Sequence, residues 1–266
     1  MDAELYKPFN LCFRIFKALG MWQDRQQPWR YVILGVLLHI VVIELYIIGQ
    51  ILYLWNEENF VNCAKAIAPF LVFLVLFLKS INFITKIKKI IQSVENLKEL
   101  LNFTQLSPLA RREIIKRRVR SVHKIHKFFW SFATFGCICG VFATIASHKM
   151  LSPMWYPFDT ENSEIGFWAA SLYMVTTPFI GTTLTVAWEV FPVAFLSFAV
   201  GLIEELTERL KDVKDSDDLI KCIEIHLKIK DFVKEIQDNF AFVEFFQALL
   251  SSTSICVGAF SLTMVS

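Results

Sequence analysis

The stretch GFWAASLYMVTTPFIGTTLTVAWEVFPVAFLSFAVGLI, residues 166–203, decides the fold. It runs for 38 residues with a single charge, Glu189. As one straight α-helix it would be about 57 Å long, at ~1.5 Å per residue. A helix needs about 20 residues to cross the hydrocarbon of a bilayer. The run is therefore too long for one crossing and tight for two. The flanking charge separates these options. Two crossings would put segment 203–235 outside, together with Arg209, Lys211, Lys214, Lys221, Lys228, Lys230 and Lys234. One helix that projects beyond the membrane keeps all seven cations on the inner side.

Four other apolar runs occupy 30–55, 66–84, 128–147 and about 240 to 266. With the long run read as a single helix, the expectation is an all-α, multi-pass membrane protein. Its five transmembrane helices fall at about 31–55, 66–84, 128–147, 166–203 and 236–266, and the fourth and fifth extend into the cytosol. Of the 27 Lys and Arg, 24 then lie on one side, Lys65 and Lys149 lie on the other, and Lys79 sits within the second run. Cytoplasmic loops carry an excess of Lys and Arg, so the N-terminus is cytoplasmic. The outer loops are short and acidic, NEEN at 56–59 and DTENSE at 159–164. The composition agrees: 55% hydrophobic residues exceeds the roughly 45–50% of soluble domains. The first 30 residues hold Lys7, Arg14, Lys17, Arg25 and Arg30 and no cleavable leader, so the first run reads as a signal anchor.

The cytosolic connections carry helical apolar spacing. KIKKIIQSVENLKELLNF, 86–103, reads as an amphipathic helix with Ser93 and Asn96 on its polar face. LIEELTERLKDV and LIKCIEIHLKIKDFVKEI follow the same pattern and continue the membrane helices downward. Such an extended bundle suggests packing between helices or between subunits. The basic cluster RREIIKRRVR, 111–120, also suits anionic lipid headgroups.

No enzyme signature is present: no GxGxxG, HExxH, nucleophile elbow or Walker loop. No cofactor is implied. The six cysteines, 12, 63, 137, 139, 222 and 256, lack metal spacing and read as small apolar side chains. The five histidines lack carboxylate or cysteine partners at ligand spacing. The basic segment has no interleaved aromatics, which argues against nucleic acid. Within the crossings, Glu44 is expected to face the bundle and accept a hydrogen bond, and Lys79 to snorkel to the inner interface.

The outer halves of helices two, three and four are rich in aromatic and medium-sized apolar groups. Phe70 and Leu74, Phe142 and Ile145, and Tyr173 and Thr177 each lie about one turn apart, with Met174 beside Tyr173. Pro69 and Pro178 fall in the same zone and loosen helix geometry. A cavity lined this way suits a small apolar ligand with one hydrogen-bonding group. Ordinary helix packing is the competing account of the same side chains.

Several stretches together resemble one family, the insect odorant receptors. They are LGMW at 19–22, MWYPFD at 154–159, Glu189 ahead of the leucine-patterned helix, and residues 222–260. The last is similar to a C…H…I…F…Q…S…C pattern through Cys222, His226, Ile229, Phe246, Gln247, Ser251 and Cys256. The resemblance implies a seven-helix subunit of an odorant-gated cation channel in the plasma membrane of olfactory sensory neurons. It implies a hetero-oligomer with a shared co-receptor through cytosolic helices, a volatile-ligand site among helices two, three, four and six, and a pore lined by helix seven. On that reading the run FVEFFQALLSSTSICVGAFSLTMVS, 242–266, is the fifth helix. The last two helices would then be absent, and the chain would be a truncated subunit that does not conduct alone. Alternatives are a gustatory receptor of the same superfamily and a truncated scaffold that blocks assembly.

Overall fold

The computed structural model describes residues 7–20, 29–104, 108–150 and 152–265. Met21 and Trp22 of the LGMW stretch, Arg25 and Ser266 lie outside the described residues. The described chain is helical, with no strand among its described residues. Helix α1 spans Lys7–Ala18. Helix α2, Trp29–Asn56, contains a π-turn at Ile40–Glu44. Then come α3 at Phe60–Phe103, α4 at Pro108–Ser147, α5 at Glu164–Lys211 and α6 at Ser216–Val265. Helices α2 to α6 each contain a window apolar enough to cross a membrane.

The stretch at 166–203 lies within one unbroken helix, α5, of 48 residues. Helix α3 is also continuous for 44 residues, so KIKKIIQSVENLKELLNF extends the second crossing. Pro69 lies inside α3 without ending it. The apolar pattern holds these helices together where they leave hydrocarbon, because a long isolated helix gains most of its stability from packing one face.

The chain forms two compact units. The first contains Met1–Arg14, Phe83–Phe128 and Ala187–Phe242. Its core is built on helical repeats: Phe191, Phe195 and Phe198 from α5, Ile90, Val94, Leu97 and Leu101 from α3, and Ile225, Ile229, Phe232 and Ile236 from α6, all buried. Successive members are three or four residues apart and so share one helix face. Helix α1 adds Phe9, which is fully buried with its ring 5.0 Å from Phe195 and 5.8 Å from Phe191. Burying a Phe side chain stabilises by about 1.5–3 kcal/mol, enough to dock a short helix.

The polar face expected of α3 meets α6. Ser93 donates to Glu235 Oε1 at 2.5 Å, and Asn96 Nδ2 donates to Oε2 at 2.7 Å. Asn239 Nδ2 donates to Ser93 Oγ at 3.3 Å, and Lys86 Nζ donates to the Asp238 carbonyl at 2.8 Å. These polar groups join α3 to α6. Arg117 and Arg118 from the basic cluster both pair with Glu204 of α5. A cavity of about 230 Å³ in this unit is lined by Asn96, Glu99, Phe103, Lys228, Asp231 and others, with Lys228 Nζ 3.4 Å from the Phe103 ring centroid.

The second unit contains Ile15–Asn82, Phe129–Val186 and Val243–Ser266. It carries both outer loops. Gly20 has φ +69°, a left-handed backbone that glycine adopts at no steric cost, and a Cβ there would meet the Gly35 backbone. That accounts for the glycine of the LGMW stretch. Lys79 does not reach a surface as expected: it is 4% exposed.

Candidate ligand-binding site

The site begins at an irregularity in α2. Across the π-turn, the Leu45 N–H bonds to the Ile40 carbonyl, five residues back. An α-helix would have sent it to Val41. The Val41 carbonyl is thereby left short of its usual donor, and Tyr173 of α5 donates its hydroxyl to it at 2.8 Å. The same turn stacks residues five apart, and His39 Nδ1 meets Glu44 Oε1 at 2.8 Å. Glu44 does have a hydrogen-bond partner, and it is a histidine. The spacing rules applied to the histidines do not reach this pair, because a π-turn brings together two residues that α-helical spacing keeps apart. Isolated π-turns inside helices are frequent at functional sites.

One turn beyond, Tyr46 is fully enclosed. Its ring stacks on Phe73 of α3 at 3.8 Å between centroids and lies 6.5 Å from Tyr173. The Tyr46 hydroxyl and the Gln50 amide are near neighbours. The amide nitrogen and oxygen nevertheless close no bond of hydrogen-bonding geometry, and Gln50 is 0% exposed.

The second outer loop closes over this layer. At Gly49 the Met154 side chain occupies the space a Cβ would take, and the Trp155 N–H donates to the Gly49 carbonyl at 3.2 Å. Tyr156 follows inward. Burial pushes its hydroxyl well above the usual tyrosine value, with Tyr46 and Tyr173 adding to the effect, so it is a neutral phenol. Its oxygen is buried without a hydrogen-bond partner. Ser171 of α5 is 5% exposed and its hydroxyl also has no partner.

The loop has its own supports. Asp159 accepts the Asn162 backbone N–H at 3.0 Å, the Asn162 side-chain amide at 3.0 Å and the Glu161 backbone N–H at 2.9 Å. Those bonds hold its carboxyl below the usual range. Glu57 in the first outer loop is likewise lowered, chiefly by the Tyr53 hydroxyl, which donates at 2.6 Å. A cavity of about 600 Å³ opens among Tyr53, His148, Met150, Met154, Asn162 and Phe167, with further loop residues on its walls. The His148 ring stacks on Phe167 at 4.3 Å. Small-molecule sites commonly have volumes of roughly 300–1,000 Å³.

The side chains expected to line a site are not all together. Tyr173 joins the layer with Tyr46, and Met174 and Thr177 are buried on the same helix. Phe70 and Leu74 are half-buried, on either side of the Phe73 that stacks on Tyr46. Phe142 is 68% exposed and Ile145 is 57% exposed. Tyr46, Gln50, Phe73, Tyr156 and Ser171 were missed by sequence reasoning. Gln50 had a signal: it is an amide inside an apolar crossing, where a polar group needs a partner. Tyr156 lies in a stretch singled out only for its resemblance to a family loop. No group of three His, Cys, Asp or Glu able to hold a metal exists among the described residues.

A family model described as 7tm Odorant receptor matches residues 59–266. Odorant receptor 33b of Drosophila melanogaster is 23% identical over 119 residues, which is 41% of this chain and 31% of that protein. The alignment thus spans about a third of that relative. The fold is similar to the insect olfactory receptor OR5 from Machilis hrabei, with a TM-score of 0.75 at 16% identity, over 97% of this chain and 72% of that one. Against the same receptor in complex with eugenol, the TM-score is 0.77 over 98% and 72% of the two chains.

Proposed function

This chain belongs to the 7tm Odorant receptor family, and from that premise we propose that it binds small volatile molecules as the recognition part of an odorant-gated cation channel. The observation that supports the reading is the aromatic layer of buried Tyr46 and Phe73 with half-buried Tyr173 in the second unit, near which polar atoms are left unsatisfied. Aromatic walls with few polar groups favour small, largely apolar ligands. Eugenol, bound by the similar OR5, has that character.

The family places such subunits in the plasma membrane of olfactory sensory neurons, in hetero-oligomers with a co-receptor. We assign this chain the same setting. Conduction then belongs to the assembly, and the chain expressed alone passes no odorant-gated current. Phe70, Leu74, Tyr173, Met174 and Thr177 remain our candidate ligand contacts, together with Tyr46 and Phe73. Phe142 and Ile145 are contacts only if a further helix covers them.

Equilibrium dialysis of a panel of volatiles against the chain in lipid nanodiscs tests the reading, with empty discs as reference. At least one volatile is expected to bind, and Tyr46→Ala is expected to weaken it about tenfold or more, because truncating a buried aromatic removes roughly 3–5 kcal/mol of packing. A broad panel with no binder above empty discs would overturn the reading. Co-expression with a tagged co-receptor tests the partnership: the two chains should co-purify.

A further inference from the structure

Several buried side-chain atoms of the second unit have no hydrogen-bond partner among the described residues, and those of the Gln50 amide, the Tyr156 hydroxyl and the Ser171 hydroxyl lie in the second outer loop or on the helix turns near it. A buried polar group without a partner is costly, and apolar substitutes would be cheaper. Helical Ser side chains commonly bond to the carbonyl four residues back, as Thr176 does to Leu172 at 2.8 Å and Ser147 does to Ala143 at 2.7 Å. Ser171 does not.

Their place relative to the 600 Å³ cavity is set by helix geometry. Tyr53 lines the cavity from α2, and Gly49 and Gln50 lie one turn inward. Phe167 lines it from α5, and Ser171 lies one turn inward. Met154 lines it from the loop and packs into the space at Gly49. Met154 therefore forms part of the cavity floor, with Gln50 and Ser171 on the next turns below. Methionine is flexible and adapts its shape readily.

We propose that Gln50, Tyr156 and Ser171 form the hydrogen-bonding end of the ligand site, selective for small neutral molecules that carry a hydroxyl group, and that Met154 is the movable cover between them and the outer cavity. The inference rests on the odorant-binding reading and names its ligand class. Gln50 offers a donor and an acceptor, and each hydroxyl offers both. A single hydroxyl, with one donor and two acceptor positions, can complete up to three such bonds, whereas a hydrocarbon of the same shape completes none. A site built to bond a hydroxyl discriminates strongly against the analogue without one.

The test uses the full chain in nanodiscs and two probes of equal shape, 4-ethylphenol and 4-ethyltoluene. Dialysis against empty discs gives the affinities, and fluorescence of the adjacent Trp155 and Trp168 gives the rates. The expected result is a preference for the phenol of about tenfold or more. Gln50→Leu and Tyr156→Phe should each collapse that preference, by weakening 4-ethylphenol and not by weakening 4-ethyltoluene. Met154→Ala should speed association without altering the preference. Should Gln50→Leu fail to fold, the near-isosteric Tyr156→Phe still decides. Equal binding of both probes, or a preference that survives both substitutions, overturns the inference, and water then satisfies the buried atoms. Binding of any volatile in the wider panel would leave the receptor reading standing in that event. If neither probe binds, the inference also falls, and that panel alone judges the reading.

Discussion

Two sets of polar side chains, one in each unit, stand in opposite states. In the first unit, Glu235 accepts from Ser93 and Asn96, and Asn239 donates to Ser93, so the carboxylate is satisfied on both oxygens. In the second unit, the Gln50 amide and the Tyr156 and Ser171 hydroxyls are buried and unsatisfied. A closed network adds specificity to helix pairing, because a wrong register would strand its members. An open set adds nothing to the free fold and has value only when another molecule completes it.

The contrast breaks most visibly at Glu235. Glu235→Leu removes the acceptor for two bonds to a charged group and should cost about 3 kcal/mol, read as a lower melting temperature in detergent. Glu235→Gln should recover part of that. Gly166→Ala acts on the second unit. A Cβ there would collide with the Asp159 carbonyl, and overpacking of this kind costs about 2 kcal/mol. It should displace the loop that carries Tyr156, so selectivity for hydroxyl-bearing probes should fall along with stability.

Gln50→Leu has the opposite sign. Exchanging an unsatisfied buried amide for a side chain of similar size should raise stability by about 1 kcal/mol while abolishing selectivity. A loss of stability at Gln50 would mean that its amide is already satisfied, and the comparison would fail. The smallest effect is at Asp159. Its carboxyl is held below its unfolded value, so the loop contacts are present above the ordinary aspartate range and are lost as pH falls through the lowered folded value. Protection of the Glu161 and Asn162 amides from hydrogen exchange, taken relative to their intrinsic rates at each pH, should fall in acid accordingly.

The long helix at 166–203 was legible because length and charge asymmetry are additive along a sequence. The partners of polar residues were not. Ser93 and Asn96 have the spacing of a solvated face, and hydropathy cannot distinguish a side chain bonded to water from one bonded to Glu235, about 140 positions away. His39 and Glu44 escaped notice because helical pair rules count three or four residues, and the π-turn makes the interval five. Phe9 lies in a short segment with no membrane-length hydropathy, so α1 left no comparable signal. Tyr173 was singled out because an aromatic in the outer half of a crossing is conspicuous. Phe142 and Ile145 satisfied the same criterion, but periodicity does not say which face of α4 meets neighbours.

The central claim is that the open polar layer of the second unit is where a ligand sits. Photolabelling tests it most directly: a small phenol carrying a diazirine is irradiated with the chain in nanodiscs, and the modified peptides are mapped. The account predicts label on the peptides holding Gln50, Tyr156 and Ser171, displaced by excess 4-ethylphenol. Label concentrated along the cavity of Phe103 and Lys228, or spread over exposed residues such as Phe142 and Ile145 without competition, would contradict it.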